Sequence, residues 1–424
     1  MKLAVFTSKY PARIATFFER DMRALLETGL EIDVFAISPL EASAWSHSLD
    51  LLGPEHLPRE RVHHLTVGAA LDRARPTLRR SFGPAARDAL ALLRSAARYG
   101  PVRLAKTAYL LPKAWAWAAE SAQYDHVLAY WGNYAGTCAY AFHRLAAPSV
   151  PFSIWLHAGT DLYRAPVFMR EKLRYADNII TCCEFNQGYI RREFADVPDL
   201  ESKLHLCHHG LNLADFPHTL DGRAPNRLLA VGRLAQRKGF DYLVRAAQVL
   251  KTRGVDVVVE FVGDGELRPE LQALAVELGV ADRVEFSGWQ PFSGVRAAMN
   301  RTTILVHPSD GLGDGLPNVV REAMALGAPV VASDIAGIPD ALRDGCGILV
   351  PPKDPVALAT ALERLLSDPA EQRAIAVRAR RRTEAKYDLW QNGARLAHLL
   401  KSTRRGAPQV APAVPPELGY ASPA

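Results

Sequence analysis

HPSDGLGDGLPNVVREAMALGAPVVASD, residues His307–Asp334, joins two apolar runs through a glycine-rich loop and a short amphipathic segment. The run before it, Thr303–Val306, reads as a buried strand. Asp310, Gly311, Gly313, Asp314 and Gly315 then make a polar loop. Pro317 suits the first position of a helix, because its φ is fixed and its missing N–H is not needed there. Val319, Val320, Ala323 and Met324 give that helix one apolar face, and Gly327 ends it. Ala328–Ala332 is the next strand. A strand–loop–helix turn of this kind puts free backbone N–H groups and the positive helix end together, which favours an anionic ligand. Asp314 lies in the loop. Glu322 lies on the second helical turn, whose side chains lean toward the N-terminus. Two carboxylates beside an anion site suit a ligand that is both anionic and rich in hydroxyls, as a sugar nucleotide is. A solvated polar loop before an ordinary helix is the plain alternative.

The chain has 424 residues, 49% hydrophobic and 23% charged, which fits a soluble globular protein of about two or three domains. MKLAVFTSKYP at the start is too short for a signal-peptide core and reads as a first strand. Val127–Phe142 is uncharged, but Gly132, Asn133 and Gly136 divide it into a strand and a helix, not a membrane span. The five cysteines form no C-x-x-C pair, so reduced thiols in a cytoplasmic protein are expected. Cys207-His208-His209 could suggest a metal, but a strand end with ordinary histidines is the simpler reading.

The net charge of +6 is unevenly spread. Residues 71–113 hold ten Lys and Arg against Asp72 and Asp88, more than the whole chain's excess. Leu90, Leu92, Leu93, Leu104, Tyr109–Leu111, Trp115 and Trp117 are interleaved with them or follow. This composition suits an anionic membrane surface or a lipid-phosphate ligand. Core helices with a basic outer face would look the same. No nucleic-acid-binding module accompanies the charge.

Strands alternate with helices along two stretches. The first runs from Lys2–Thr7 through Ile32–Ile37, Asp125–Tyr130, Phe152–Leu156 and Asn178–Cys182 to Lys203–Cys207. A polar break near Pro217–Pro225 separates it from Arg227–Val231, Val255–Val262, Arg283–Ser287, Thr303–Val306, Pro329–Ala332 and Gly347–Val350. This predicts an α/β protein of two doubly wound, Rossmann-like units with a ligand cleft between them. The expected boundaries are 1–217 and 218–383, then a helix 384–402 returning to the first unit. A Pro/Ala-rich tail, 403–424, is expected to be disordered.

The turn Gly232-Arg233-Leu234-Ala235-Gln236-Arg237-Lys238-Gly239 lacks both the dinucleotide and the Walker spacing. It offers Arg233 and Lys238 for a diphosphate, one as a fork and one as a point charge. With the downstream stretch, it resembles the family 4 glycosyltransferases, retaining enzymes of the GT-B fold, and among them the exopolysaccharide type. The resemblance spans about residues 1–400. It is carried by Gly232–Gly239, Pro308-Ser309, Asp314–Pro317, Glu322–Ala332, Gly337–Asp340, Gly347–Pro352, and His209–Asn212 with Phe216. Ser8, Pro11, Thr16-Phe17 and Gly29 add to it.

The resemblance implies that Arg233, Lys238 and the Gly315, Leu316, Pro317 and Asn318 segment hold a donor diphosphate. Glu322 would take the ribose. Asp314, where the family usually has Glu, would meet the sugar. His157 and Asp161 resemble the family's His-x-x-Asp turn, with one residue more between them; His157 would be catalytic. No D-x-D metal motif stands in the expected place, and Asp264-Gly265-Glu266 reads as a loop after a strand. The expected activity is therefore metal-independent, cofactor-free transfer from a nucleotide sugar. The acceptor would be a glycan or a polyprenyl-diphosphate-linked glycan, met at the inner face of a membrane. A sugar-nucleotide 2-epimerase and a non-catalytic sugar-nucleotide-binding partner are the alternatives.

Overall fold

A computed structural model describes residues 1–11, 16–40, 57–120, 123–159 and 161–406, without the side chains of Thr16, Glu120 and Asp314. By contacts the chain divides into two units. One comprises Met1–Cys182, Asn186–Gly210 and Leu389 onward, the other Cys183–Phe185 and Leu211–Asp388. The change at Gly210–Leu211 precedes the composition break at Pro217. Arg223 explains why the polar break does not mark the boundary. Its guanidinium donates to the carbonyls of Thr219, Met299, Asn300, Thr302 and Leu326, which fastens this segment to the second unit.

The first unit has a seven-stranded parallel sheet in the order β3-β2-β1-β4-β5-β6-β7. The strands are β1 (Lys2–Thr7), β2 (Glu31–Ala36), β3 (Val62–His63), β4 (His126–Ala129), β5 (Phe152–Leu156), β6 (Asn178–Thr181) and β7 (Leu204–Leu206). β3 has two residues and no alternation to read, so only its pairing with β2 reveals it. Central strands are buried on both faces, as helix-covered parallel strands are. One face carries Phe6, Phe35, Trp117 and Phe142; the other carries Val5, Phe18, Met22 and Trp155.

Helices Val67–Ala97 and Pro101–Glu120 fill the long interval between β3 and β4, packing on each other and on helix Tyr134–Ala146. Helix Leu389–Ser402 lies on helix Thr16–Glu27, with Gly393 so near Ala24 that a Cβ would collide with it. Thr403–Gly406, assigned to the tail from composition, is held instead. Thr403 accepts from Asn178, which also donates to Ser153, and Arg405 pairs with Asp177 at 2.8 Å. The rest of that tail, from 407, lies outside the described residues.

The second unit has a six-stranded parallel sheet in the order β10-β9-β8-β11-β12-β13. Its strands are β8 (Arg227–Val231), β9 (Val258–Val262), β10 (Val284–Gly288), β11 (Ile304–His307), β12 (Val330–Ser333) and β13 (Ile348–Val350). Three helices follow β13, Pro355–Leu366, Pro369–Lys386 and Leu389–Ser402, the last of them part of the first unit, so the returning helix expected at 384–402 starts at Leu389. Asp354 and Asp368 cap the first two, accepting from Val356 and Ala357 and from Glu371.

Candidate active site

In the second unit β8 and β11 are sheet neighbours, so the two sequence motifs that follow them meet. The β8 turn continues through a single 3-10 turn, Gln236–Lys238, to helix Phe240–Thr252. Gly239 stands between them at φ 62, where a Cβ would strike the Pro308 carbonyl. Ser309 Oγ and Asp310 N both donate to the Arg237 carbonyl, at 2.9 and 3.1 Å. The loop after β11 is therefore bonded to the turn after β8. Gly263, after β9, has φ 136 and lies so close to the Gly232 carbonyl that a side chain would not fit. Backbone packing of this kind leaves the turn with one conformation.

Arg233 is exposed and makes no ion pair among the described residues. Lys238 is half-buried, its stem near Gly232. Arg237, not singled out from sequence, lies along Gly311 and Gly313. Gly315 accepts from Gly337 N at 3.0 Å, and Leu316 and Pro317 are buried. The helix begins at Asn318, and Pro317 is its N-cap and not its first residue. The extended ψ of 137 at Pro317 ends the loop one residue later than the sequence suggested. Asn318 accepts from Arg321, and Gly327 caps the helix at φ 82. Glu322 is buried on the second turn. Asp314 closes the 3-10 turn Leu312–Asp314; its side chain lies outside the described residues. Asp264 serves its own loop, accepting from Gly265 N at 2.9 Å and from Arg268.

In the first unit His157 follows β5 and is 5% exposed. Neither ring nitrogen has a hydrogen-bond partner among the described residues; Asp161 Oδ2 is 3.7 Å from Nδ1. Asp161 holds the backbone instead. Its two oxygens accept from His157 N at 2.8 Å and Asn133 N at 2.9 Å. The extra residue between His157 and Asp161 thus still closes a turn. Rings of Phe17, Tyr130, Trp131, Trp155 and His209 surround His157, with His209 stacked at 5.0 Å and 8°.

Two buried charges support this box. Asp21 Oδ2 accepts from His209 Nδ1 at 2.6 Å and from the Tyr130 hydroxyl. Burial opposes the charged His209 ring, but Asp21 outweighs it and pushes the ring up to about 9. Lys172, completely buried, donates to the carbonyls of Gly132 and Asn133 and to Thr137. Burial pushes it down to about 7, against the attraction of Asp161 and Glu171. Asp21 and Lys172 lie far in sequence from the residues they hold, so no spacing marks them. The family signature at His209 was the available signal.

Two parallel α/β sheets with strand-end glycine turns are those of a GT-B protein. Solved structures agree: sucrose-phosphate synthase from Thermosynechococcus elongatus matches with TM-score 0.70, 21% identity and coverage of 95% of this chain and 98% of that one. Anabaena HepE in complex with UDP and glucose matches with TM-score 0.69, 17% identity and coverage of 95% and 100%. Residues 225–368 match the family described as Glycosyl transferases group 1, and this part of the chain is a group 1 glycosyltransferase domain.

Similar proteins include the GDP-mannose-dependent alpha-(1-6)-phosphatidylinositol monomannoside mannosyltransferase of Mycolicibacterium smegmatis. It is 33% identical over 55% of this chain and 66% of that protein. A protein named as a colanic acid biosynthesis glycosyltransferase, from Escherichia coli K12, is 26% identical over 95% of this chain and 100% of its own length. The alpha-D-kanosaminyltransferase of Streptomyces kanamyceticus is 35% identical over 41% of this chain, and the match spans only 45% of that protein.

Proposed function

We propose that the protein transfers a sugar from a nucleotide-diphosphate donor to a glycan or polyprenyl-diphosphate-linked acceptor, in the making of an exopolysaccharide or cell-surface polysaccharide. The observation that carries this reading is the bonded pair of loops after β8 and β11, Ser309 and Asp310 on the Arg237 carbonyl, inside a group 1 domain. A diphosphate leaving group gathers negative charge as its bond to the anomeric carbon breaks. Arg233, Lys238 and the N–H groups of Gly315, Leu316 and Asn318 are assigned to that charge, the main lever for such a reaction. Glu322 is assigned to the ribose, Asp314 to the sugar hydroxyls, and His157 to positioning the transferred sugar. In this reading configuration is retained, and neither metal nor cofactor takes part. The acceptor is recognised by the first unit, at a membrane surface where the acceptor is lipid-linked.

Titration calorimetry against nucleotides and sugar nucleotides identifies the donor, and the same donor is then followed with and without an extract-derived acceptor. Transfer requires the acceptor; conversion of the donor alone would make the protein an epimerase. Lys238→Ala should lower turnover about a hundredfold or more with an unchanged melting curve. A folded variant that turns over normally removes the assignment.

A further inference from the structure

Helix Val67–Ala97 turns its small residues inward: Ala70, Ala74, Ala85, Ala89 and Ala96 are buried, with Leu92. Thr77 donates to the Trp115 carbonyl of the neighbouring helix at 2.8 Å. The outward side is unlike an ordinary solvated face. The helix breaks at Ser81 (φ -133, ψ 36), just before Phe82. Ahead of the break, Leu71, Arg75 and Arg79 follow at helical spacing, all exposed; beyond it come Phe82, Arg87, Leu90, Arg94 and Arg98, also exposed. Phe82 is 68% exposed and Val102, across the turn into the next helix, 63%.

Large apolar side chains left in water are few elsewhere among the described residues, and Leu71, Phe82, Leu90, Tyr99, Val102 and Leu104 all fall on this hairpin. Within residues 71–113 ten cations stand against two carboxylates. Of those two, Asp72 is exposed and paired with Arg75 at 2.9 Å, while Asp88 is buried and taken by Arg144 at 2.6 Å. Some of the segment's cations also serve the fold: Lys113 is buried on the Ile37 carbonyl, Arg103 bonds Tyr134, and Lys106 lies over the Tyr134 ring at 5.3 Å. Arg75, Arg79, Arg80, Arg87, Arg94 and Arg98 are exposed.

We propose that the outward face of helices Val67–Ala97 and Pro101–Glu120 docks on an anionic lipid bilayer, its arginines on headgroup phosphates and Phe82 with Leu90 in the interface. The alternation decides the occupant. A polyanion such as nucleic acid satisfies the arginines but gives nothing to Leu71, Leu90 and Val102. A headgroup region offers phosphates and acyl boundary side by side, and it needs no concave site. Arginine stems add apolar cover while their heads reach the phosphates. No helix among the described residues is long and apolar enough to cross a membrane, so the contact is with the surface. The inference stands on surface chemistry and is read without donor or acceptor, so its failure and that of the transfer reading are separate.

The test is sedimentation of the full chain with phosphatidylcholine vesicles, with and without phosphatidylglycerol. Binding is expected only with the anionic lipid, weakening as salt rises. Arg79→Glu with Arg80→Glu should reduce it at least about tenfold, and Phe82→Asp with Leu90→Asp by a similar factor. Arg364→Glu with Arg381→Glu, an equal charge change on the second unit, should leave it unaltered; both are exposed. Circular dichroism melting checks that each variant is folded. Equal binding to neutral vesicles, no binding to either kind, or wild-type binding by both hairpin variants overturns the proposal. So does binding to duplex DNA that depends on the arginines and not on Phe82 and Leu90.

Discussion

In the second unit the groups proposed for the donor diphosphate lie on one turn, Gly232–Gly239, and one helix start, Gly315–Asn318, each a few residues long. Glycines that admit no side chain, Gly239 and Gly263, hold them. Around His157 in the first unit the charges are inside. Asp21 and His209 are paired far across the sequence, and Lys172 is folded over the carbonyls of Gly132 and Asn133. The first arrangement keeps its charges in reach of solvent and ligand. The second encloses them, which makes the shape of the His157 box depend on ionisation. Charge on a backbone turn is cheap to hold and free to act on a ligand. Charge in a core must be matched by a partner or by carbonyls.

The sharpest way to break this contrast is to remove one partner of the buried pair. Asp21→Ala should destabilise the first unit by about 3–5 kcal/mol, measured by urea unfolding, because the buried His209 and Tyr130 would lose the carboxylate they bond. A loss within the range of a surface substitution would place the pair outside the structural frame.

Next comes pH. His209 keeps its proton in the folded chain up to about 9, against 6.5 for the free side chain. The folded state therefore holds more protons between these values. Its contribution is complete below 6.5 and is lost as pH rises through 9, by about 3 kcal/mol. Lys172 has the opposite sign. Folded it titrates near 7, against 10.5 when free. The unfolded chain holds more protons there, and stability rises with pH across that interval. The groups around the two are Asp21, Tyr130 and Cys182 for His209, and Asp161 and Glu171 for Lys172. Wild type sums the two slopes. Its unfolding free energy minus that of His209→Gln should fall with pH, and minus that of Lys172→Met should rise. Parallel curves for both pairs would remove the buried-charge account.

The smallest effect expected is in the second unit. Glu322→Gln should weaken donor binding about tenfold, the scale of one hydrogen bond to a charged group, read by calorimetry. Stability should change little, since the turn is held by backbone contacts.

Much of this was legible in the sequence for a definite reason. Apolar runs marked the buried strands, and glycines marked the turns at Gly239, Gly315 and Gly327, since these features are local and have fixed periods. Pro317 misled by one position, because φ alone does not choose between N-cap and first helical residue. The two-residue β3 had no period to find. The task of Asp161 was not legible, because its work is on backbone N–H groups that sequence does not display.

What the sequence by itself determined is the series of strands and helices, the division into two α/β units, and the residues of the two strand-end turns proposed to hold the donor. Those depend on neighbours within a few positions. Tertiary structure alone decided that Arg237's carbonyl ties the turn after β8 to the loop after β11. It also decided that Asp21 charges His209, and that the basic hairpin buries its alanines while leaving Phe82 and Leu90 outside. Each of these is a contact or an exposure between residues distant along the chain, and such distances are set only when the sheet order and helix packing are set.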